Sequence, residues 1–173
     1  MPDHRDEITQ TFIDAYGSPS GKTVLEIGCG DGRVTRFLSD SPSLTIAFDP
    51  DLSRIEEAQQ AVPQAHFCSA SGLDMPFANE SFELVLFTLS LHHHPDCAAA
   101  LTEAARVLKP EGHLLVLEPL NEGELEQICN IFNDESQVLA NAQTAIDASP
   151  LHTIGTERFI TQWHLEDAQA LIN

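Results

Sequence analysis

Positively charged residues are scarce in this chain. It has 8 Lys and Arg against 27 Asp and Glu, which gives a formal net charge of −19. Proteins that bind duplex DNA or structured RNA gain most of their affinity from cationic contacts to phosphate. The charge balance therefore disfavours nucleic acid as a substrate, and for the same reason it disfavours binding to anionic membrane surfaces.

Long hydrophobic runs and paired cysteines are also missing. No apolar stretch approaches the roughly 20 residues that a membrane-spanning helix needs, and the polar, acidic start of the chain is not that of a signal peptide. The cysteines include no C-x-x-C pair; they are Cys29, Cys68, Cys97 and Cys129. This usage argues against a disulfide framework or a zinc cluster and predicts buried free thiols in a cytoplasmic protein.

Apolar runs alternate with helical patterns along the chain. Its 173 residues suit one domain. The alternation predicts an α/β fold with a single Rossmann-like, doubly wound, mainly parallel sheet and helices on both faces. Strands are predicted at 24–27, 44–48, 66–68, 82–89 and 113–118, with a turn at 109–112 and a sixth strand at 158–163. Helices are predicted at 6–16, after the first strand as far as 38, at 52–62, 96–108, 123–132 and 135–148, and from 166 onwards.

Three glycines follow the first predicted strand, at Gly28, Gly30 and Gly32. A strand that turns into a helix through glycines brings bare backbone close to a bound ligand, where side chains would block the approach. The dinucleotide fingerprint G-x-G-x-x-G needs a third glycine where this chain has Arg33. Nicotinamide binding is therefore disfavoured, and a tight turn without a ligand remains the alternative.

Three further motifs follow this glycine turn in order. They are the stretch LDMPFANESFELV at 73–85, the LHHH element at 91–94, and the pattern E-x-x-R-V-L-K-P-x-G at 103–112. With Glu26 and the glycines, they resemble the class I S-adenosylmethionine-dependent methyltransferases, in particular the type 11, quinone-biosynthesis group. The resemblance covers residues 23–118 and implies methyl transfer from S-adenosylmethionine to a small-molecule acceptor by in-line displacement.

The resemblance also implies which residues hold S-adenosylmethionine. The methionine and ribose side is assigned to Glu26, Gly28, Cys29, Gly30 and Gly32, the ribose to Asp49, the adenine to Pro50, Ser69 and Ala70, and the methionine end to Leu89 and Ser90. Asp49 has an alternative role as the cap of the helix that follows. We assign that cap to Asp51, because Asp49 lies directly at the end of its strand.

Three adjacent histidines follow the fourth strand. One or two of these imidazoles, from His92 and His93, are predicted at the mouth of the site, where they could accept a proton from a substrate hydroxyl or amine. Histidines that only fill a loop are an equally good interpretation. Adjacent side chains on an extended backbone point to opposite faces, so no metal site is predicted. Glu118 is a further candidate for contact with the substrate, its alternative being a solvated loop carboxylate.

These expectations divide residues 1–173 into three parts of a single methyltransferase domain. Residues 1–20 are an N-terminal helix or lid, 21–120 the cofactor-binding core, and 121–173 the substrate-side helices and last strand. The sequence stops in an apolar stripe, which predicts an incomplete C-terminal sheet edge. A protein that binds S-adenosylmethionine without transferring its methyl group is the alternative function, and a nicotinamide oxidoreductase is disfavoured.

Overall fold

Five parallel strands form one sheet. The computed structural model describes residues 4–16, 18–39, 44–122 and 133–159. The strands are β1 Thr23–Ile27, β2 Leu44–Asp49, β3 His66–Ser69, β4 Phe82–Thr88 and β5 Leu108–Leu117. They lie in the order β3-β2-β1-β4-β5. The strand order reverses direction beside β1, and in open α/β sheets ligands bind beyond the carboxyl ends of the strands at such a point.

Helices cover both faces of the sheet, as predicted. They are α1 His4–Tyr16, α2 Thr35–Ser39, α3 Leu52–Ala61, α4 Cys97–Val107 and α5 Ser136–Asp147, with a 3-10 turn at Leu91–His93. One face packs Val24 and Leu86 against Ile13 of α1 and Leu38 of α2. The other face packs against α4 and α5 in the largest hydrophobic cluster. This two-sided burial follows from the nearly continuous apolar sequence of the central strands.

Two element boundaries differ from the prediction. The helix after β1 begins only at Thr35, because the preceding residues form the glycine turn. The predicted turn at 109–112 lies inside β5, where the pairing changes from Phe82 with Leu108 to Leu84 with His113. The predicted helix at 135–148 is confirmed as α5. The elements predicted at 123–132, at 160–163 and from 166 lie outside the described residues, and the described start of the sixth strand, 158–159, is not in a strand.

The E-x-x-R pair of α4 fixes the loop before β4. Arg106 donates hydrogen bonds to the carbonyl oxygens of Met75 at 3.1 Å and Phe77 at 2.8 Å, and to the carboxylate of Glu103. Glu103 in turn accepts the backbone N–H of Met75 at 3.1 Å. These contacts explain why the second and fourth sequence motifs occur together. Among the described residues, no helix is both long and apolar enough to cross a membrane.

Candidate functional site

The three glycines of the turn after β1 all have positive φ angles, but their surroundings differ. A Cβ on Gly28 would lie 2.7 Å from the Cβ of Ser90, and one on Gly32 would lie 3.2 Å from the Cβ of Ala58 in α3. A Cβ on Gly30, at φ +54°, would meet nothing within 4 Å. Gly28 and Gly32 therefore allow close packing within the protein, and Gly30 presents bare backbone to open space.

Asp49 connects this turn to the end of β2. Its Oδ2 accepts the N–H of Gly30 at 3.0 Å, and its Oδ1 accepts the N–H of Asp51 at 2.9 Å. Each carboxylate oxygen has two lone pairs, so each keeps one for a further donor. Asp51, not Asp49, caps α3 by accepting the N–H of Ser53 at 2.8 Å. The predicted assignment of the cap is confirmed.

The carboxyl ends of β2 and β3 lie side by side. Ser69 donates from Oγ to the carbonyl oxygen of Pro50 at 3.3 Å, and Ala70 donates its N–H to the carbonyl oxygen of Asp49 at 3.4 Å. Four residues predicted for the ribose and adenine are therefore neighbours. The side chain of Cys29 lies elsewhere, buried with residues of β2 and α3. Burial raises the pKa of its thiol.

Glu26 lies under the glycine turn and is 1% exposed. Its carboxylate accepts hydrogen bonds from Thr35 Oγ1 at 2.6 Å and Thr88 Oγ1 at 3.2 Å. Burial raises the pKa of Glu26 to about 7, against the opposing effect of these two hydrogen bonds. The carboxylate thus links β1, α2 and β4. Sequence reasoning missed both threonines, although a lone hydroxyl in the apolar run of β4 was a signal for one of them.

The end of β4 is joined to the end of β1. Leu89 has a φ of +56°, a region that residues other than glycine rarely adopt, and its N–H donates to the carbonyl oxygen of Leu117 at 2.8 Å. Ser90 donates from Oγ to the carbonyl oxygen of Ile27 at 2.6 Å. Backbone strain of this kind occurs most often at functional sites, where surrounding contacts hold it in place.

Glu118, after β5, is the centre of a hydrogen-bonded group. Its Oε1 accepts the backbone N–H groups of Ser90 at 3.1 Å and Leu91 at 2.7 Å, and its Oε2 contacts Nδ1 of His92. The side chains of His92 and Glu118 are only 4% and 10% exposed. Glu118 is therefore not a solvated loop carboxylate, and its contact with Nδ1 leaves Nε2 of His92 for another partner.

Burial and the charges around His92 have opposite effects on its pKa. Burial alone would lower the pKa of His92, but the hydrogen bond to Glu118 and the negative charges of Glu118 and Glu135 outweigh it, so the pKa is raised. The side chain of His93 is exposed, yet its pKa is lowered, first because the surrounding protein partly desolvates the ring and second because of the charge of His92. The pKa values of the two neighbouring imidazoles are therefore shifted in opposite directions.

The LHHH element is a 3-10 turn, so the extended backbone assumed in the sequence analysis is wrong. The rings of His92 and His93 lie side by side with their centroids 3.9 Å apart. Candidate ligand atoms of His92, His93 and Glu135 lie within 4.8 Å of one another. His94 points away, donating from Nδ1 to the carbonyl oxygen of Ser90 at 3.0 Å and packing edge-on against Phe87.

His92 and Glu118 each line a different cavity. Glu118 lines a cavity of about 160 Å³, together with Leu139 and Ile146 of α5. His92 lines a cavity of about 430 Å³ between the start of α4 and α5, where Val138 and Ala145 contribute apolar surface. A mainly apolar cavity with a few convergent polar groups is typical of a small-molecule site.

Comparisons with known proteins agree with this geometry. The sequence profile of a family described as "Methyltransferase domain" matches residues 25–116, more than half of the chain. A phthiotriol/phenolphthiotriol dimycocerosates methyltransferase of Mycobacterium leprae is 32% identical over 144 residues, which are 79% of this chain and 52% of that protein. A demethylmenaquinone methyltransferase of Renibacterium salmoninarum is 30% identical over 106 residues, 61% of this chain and 45% of that protein.

The fold has solved relatives as well. The crystal structure of a SAM-dependent methyltransferase from Aquifex aeolicus superposes with a TM-score of 0.60 at 18% identity, and the match covers 74% of this chain and 78% of that one. At this level of identity the likeness concerns the fold alone. The chain spans about half the length of each of these two curated relatives.

Proposed function

Because the chain belongs to the methyltransferase domain family of class I, S-adenosylmethionine-dependent proteins, we propose that it binds S-adenosylmethionine and catalyses transfer of its methyl group to a small-molecule acceptor. The observation that carries this proposal is the link between Gly30 and Asp49. At the carboxyl ends of β1 and β2, the bare backbone of Gly30 faces open space. Beside it, the carboxylate of Asp49 keeps unused lone pairs.

The residues around this link fit a nucleoside that carries a positive charge. Asp49 would accept hydrogen bonds from the ribose hydroxyls, and Pro50, Ser69 and Ala70 would border the adenine. Gly30 would leave room for the ribose and methionine. When bound, S-adenosylmethionine supplies a methyl group already activated by its sulfonium, so the protein needs mainly to orient the acceptor and exclude water.

Titration calorimetry tests cofactor binding. We expect S-adenosylmethionine and S-adenosylhomocysteine to bind and NAD not to bind. Asp49→Ala should weaken binding about thirtyfold, or about 2 kcal/mol, because charge-assisted hydrogen bonds to the ribose are lost. Asp51→Ala is the matched control: it removes the cap of α3 and should leave affinity within about threefold. NAD binding, or equal effects of the two substitutions, would refute the proposal.

We further propose that His92 accepts the proton of the acceptor through Nε2, with Glu118 stabilising the protonated imidazole. His92 borders the larger cavity and Glu118 the smaller one, and both cavities combine apolar side chains of α5 with polar ones. These features favour an acceptor with an apolar body and an ionisable hydroxyl or amine. The similarity to enzymes named for demethylmenaquinone and for phthiotriol dimycocerosates supports the apolar body of this acceptor.

Release of S-adenosylhomocysteine with a panel of apolar phenols, quinols, amines and carboxylic acids tests the transferase activity. His92→Gln should lower turnover by about 100-fold or more without changing cofactor affinity. His66→Gln is the control, because His66 is exposed at the amino end of β3, away from the site. Cofactor binding with no turnover across the panel would favour a binding protein without transferase activity.

The described cysteines support a reducing, cytoplasmic setting as part of the proposal, because they are free thiols: Cys29, Cys68 and Cys97.

A further inference from the structure

The cluster of His92, His93 and Glu135 contains the residue types that bind transition metals. Their candidate ligand atoms lie within 4.8 Å of one another. The two imidazoles come from one 3-10 turn, and the carboxylate comes from the residue just before α5. No sequence motif connects them, because 42 positions separate His93 from Glu135. The packing of α5 beside the 3-10 turn brings the carboxylate to the imidazoles.

Glu118 prepares His92 for this role. Metal-ligating histidines usually contact a carboxylate or carbonyl through the ring nitrogen that does not bind the ion, which fixes the orientation of the ring. His92 has this partner in Glu118, and Glu118 is itself held by the N–H groups of Ser90 and Leu91. Nε2 of His92 is therefore the nitrogen available to an ion.

We propose that His92, His93 and Glu135 bind one divalent transition-metal ion such as Zn²⁺. Two imidazoles and a carboxylate suit zinc, whereas magnesium and calcium prefer oxygen ligands throughout. A tetrahedral shell with bonds of about 2.0–2.1 Å has ligand atoms about 3.3 Å apart, so the side chains must move together slightly on binding. His93 is exposed, and the half-buried Glu135 accepts a hydrogen bond from the exposed Asn133 Nδ2 at 3.0 Å. Both side chains lie near the surface, where a small adjustment is possible.

Ion binding and methyl transfer compete for His92. The lone pair of Nε2 cannot both bind an ion and accept a proton. The ion therefore inhibits methyl transfer to an acceptor whose proton His92 must take. This consequence rests on the proposed function, whereas the site itself does not. Three protein ligands leave the fourth position of the ion open to water. The charge of −19 on the chain further favours a cation over an anionic ligand at this surface.

The experiment measures metal binding without reference to catalysis. The purified chain without a histidine tag is titrated with Zn²⁺ against a chromophoric chelator, and with Co²⁺ for its visible absorption. We expect one ion per chain and a Co²⁺ spectrum of nitrogen and oxygen ligation. His93→Gln and Glu135→Gln should each weaken Zn²⁺ binding more than tenfold, and Glu118→Gln by about 10–100-fold through the orientation of His92. His152→Gln and Glu111→Gln, both at exposed positions, should bind as the unaltered chain does.

Several results would overturn the site. They are absence of binding at micromolar Zn²⁺, affinity unaffected by His93→Gln and Glu135→Gln, or a thiolate charge-transfer band that assigns the ion to cysteine. Calorimetry with S-adenosylmethionine on the same samples separates the two proposals. Cofactor binding without Zn²⁺ binding refutes the metal site alone, and Zn²⁺ binding without cofactor binding refutes only the proposed function.

Discussion

Replacing Glu26 by glutamine removes the buried carboxylate beneath the glycine turn. The pKa of Glu26 is raised from 4.5 to about 7, so charging it in the folded chain costs about 3 kcal/mol more than in the unfolded chain. Below about pH 4.5 both states hold the proton and this cost is absent. Between about pH 4.5 and pH 7 the unfolded state has lost a proton that the folded state still holds, so stability falls as pH rises; the fall ends above about pH 7, where the folded state loses the proton too. The free energy of unfolding therefore falls by about 2–3 kcal/mol between about pH 5 and pH 8.

Glutamine keeps the shape of Glu26 and cannot become charged. The two threonine hydroxyls at 2.6 and 3.2 Å can rotate to accept from its NH₂ group or donate to its oxygen. Urea denaturation at several pH values gives the free energy of unfolding of both proteins, and effects of other titrating groups cancel in the difference. From about pH 5 to pH 8 we expect the free energy of unfolding of Glu26→Gln to rise by about 2–3 kcal/mol relative to that of the unaltered chain.

The matched control is Glu111→Gln, because Glu111 is an exposed carboxylate of β5. Its stability difference should stay constant with pH. A constant difference for Glu26→Gln as well would show that the buried carboxylate does not titrate near neutrality, and the reasoning from burial would fail.

Three further substitutions test the packing around the site. Gly28→Ala should lower the free energy of unfolding by about 1–3 kcal/mol, because its Cβ would lie 2.7 Å from that of Ser90; unchanged urea denaturation would contradict this. Gly30→Ala should lower it by only about 1 kcal/mol, for its positive φ, yet weaken S-adenosylmethionine binding more than tenfold in calorimetry. Equal affinity would show that no ligand occupies the open space. Arg106→Lys should lower the free energy of unfolding by about 1–2 kcal/mol, because one lysine cannot bond the carbonyl oxygens of Met75 and Phe77 and a carboxylate together. Unchanged stability in urea would show that Arg106 does not hold this loop in place.

The sequence predicted the sheet and the glycine turn well, because both depend on local patterns. The assignment of Asp49 to the ribose stays a prediction. Asp49 and the helix cap at Asp51 could be separated by position alone, since a residue at the end of a strand and a residue before a helix face different groups. The buried partners of Glu26 could not be predicted. Thr35 and Thr88 come from other elements, and only the packing of α2 and β4 against β1 brings their hydroxyls to one carboxylate.

The histidines show more clearly that the sequence could not predict contacts between separate elements. Their presence after β4 was evident, but their geometry depended on whether the backbone was extended or turned. The 3-10 turn places the rings of His92 and His93 side by side, a result that alternation along a strand had argued against. The role of Glu118 also depended on tertiary structure, because its partners are backbone N–H groups 27 and 28 positions away.

The amino-acid sequence by itself determined the α/β order, the glycine turn and the family, because hydrophobic periodicity and short motifs are properties of neighbouring residues. Tertiary structure alone decided which of the three glycines faces open space, which carboxylates are buried, and which imidazoles meet a carboxylate. Those properties depend on distances between elements far apart in the chain, and strand order and helix packing set these distances. Hydrogen bonds form only when two groups lie about 3 Å apart, so the chemistry of the site is defined only once the chain is folded.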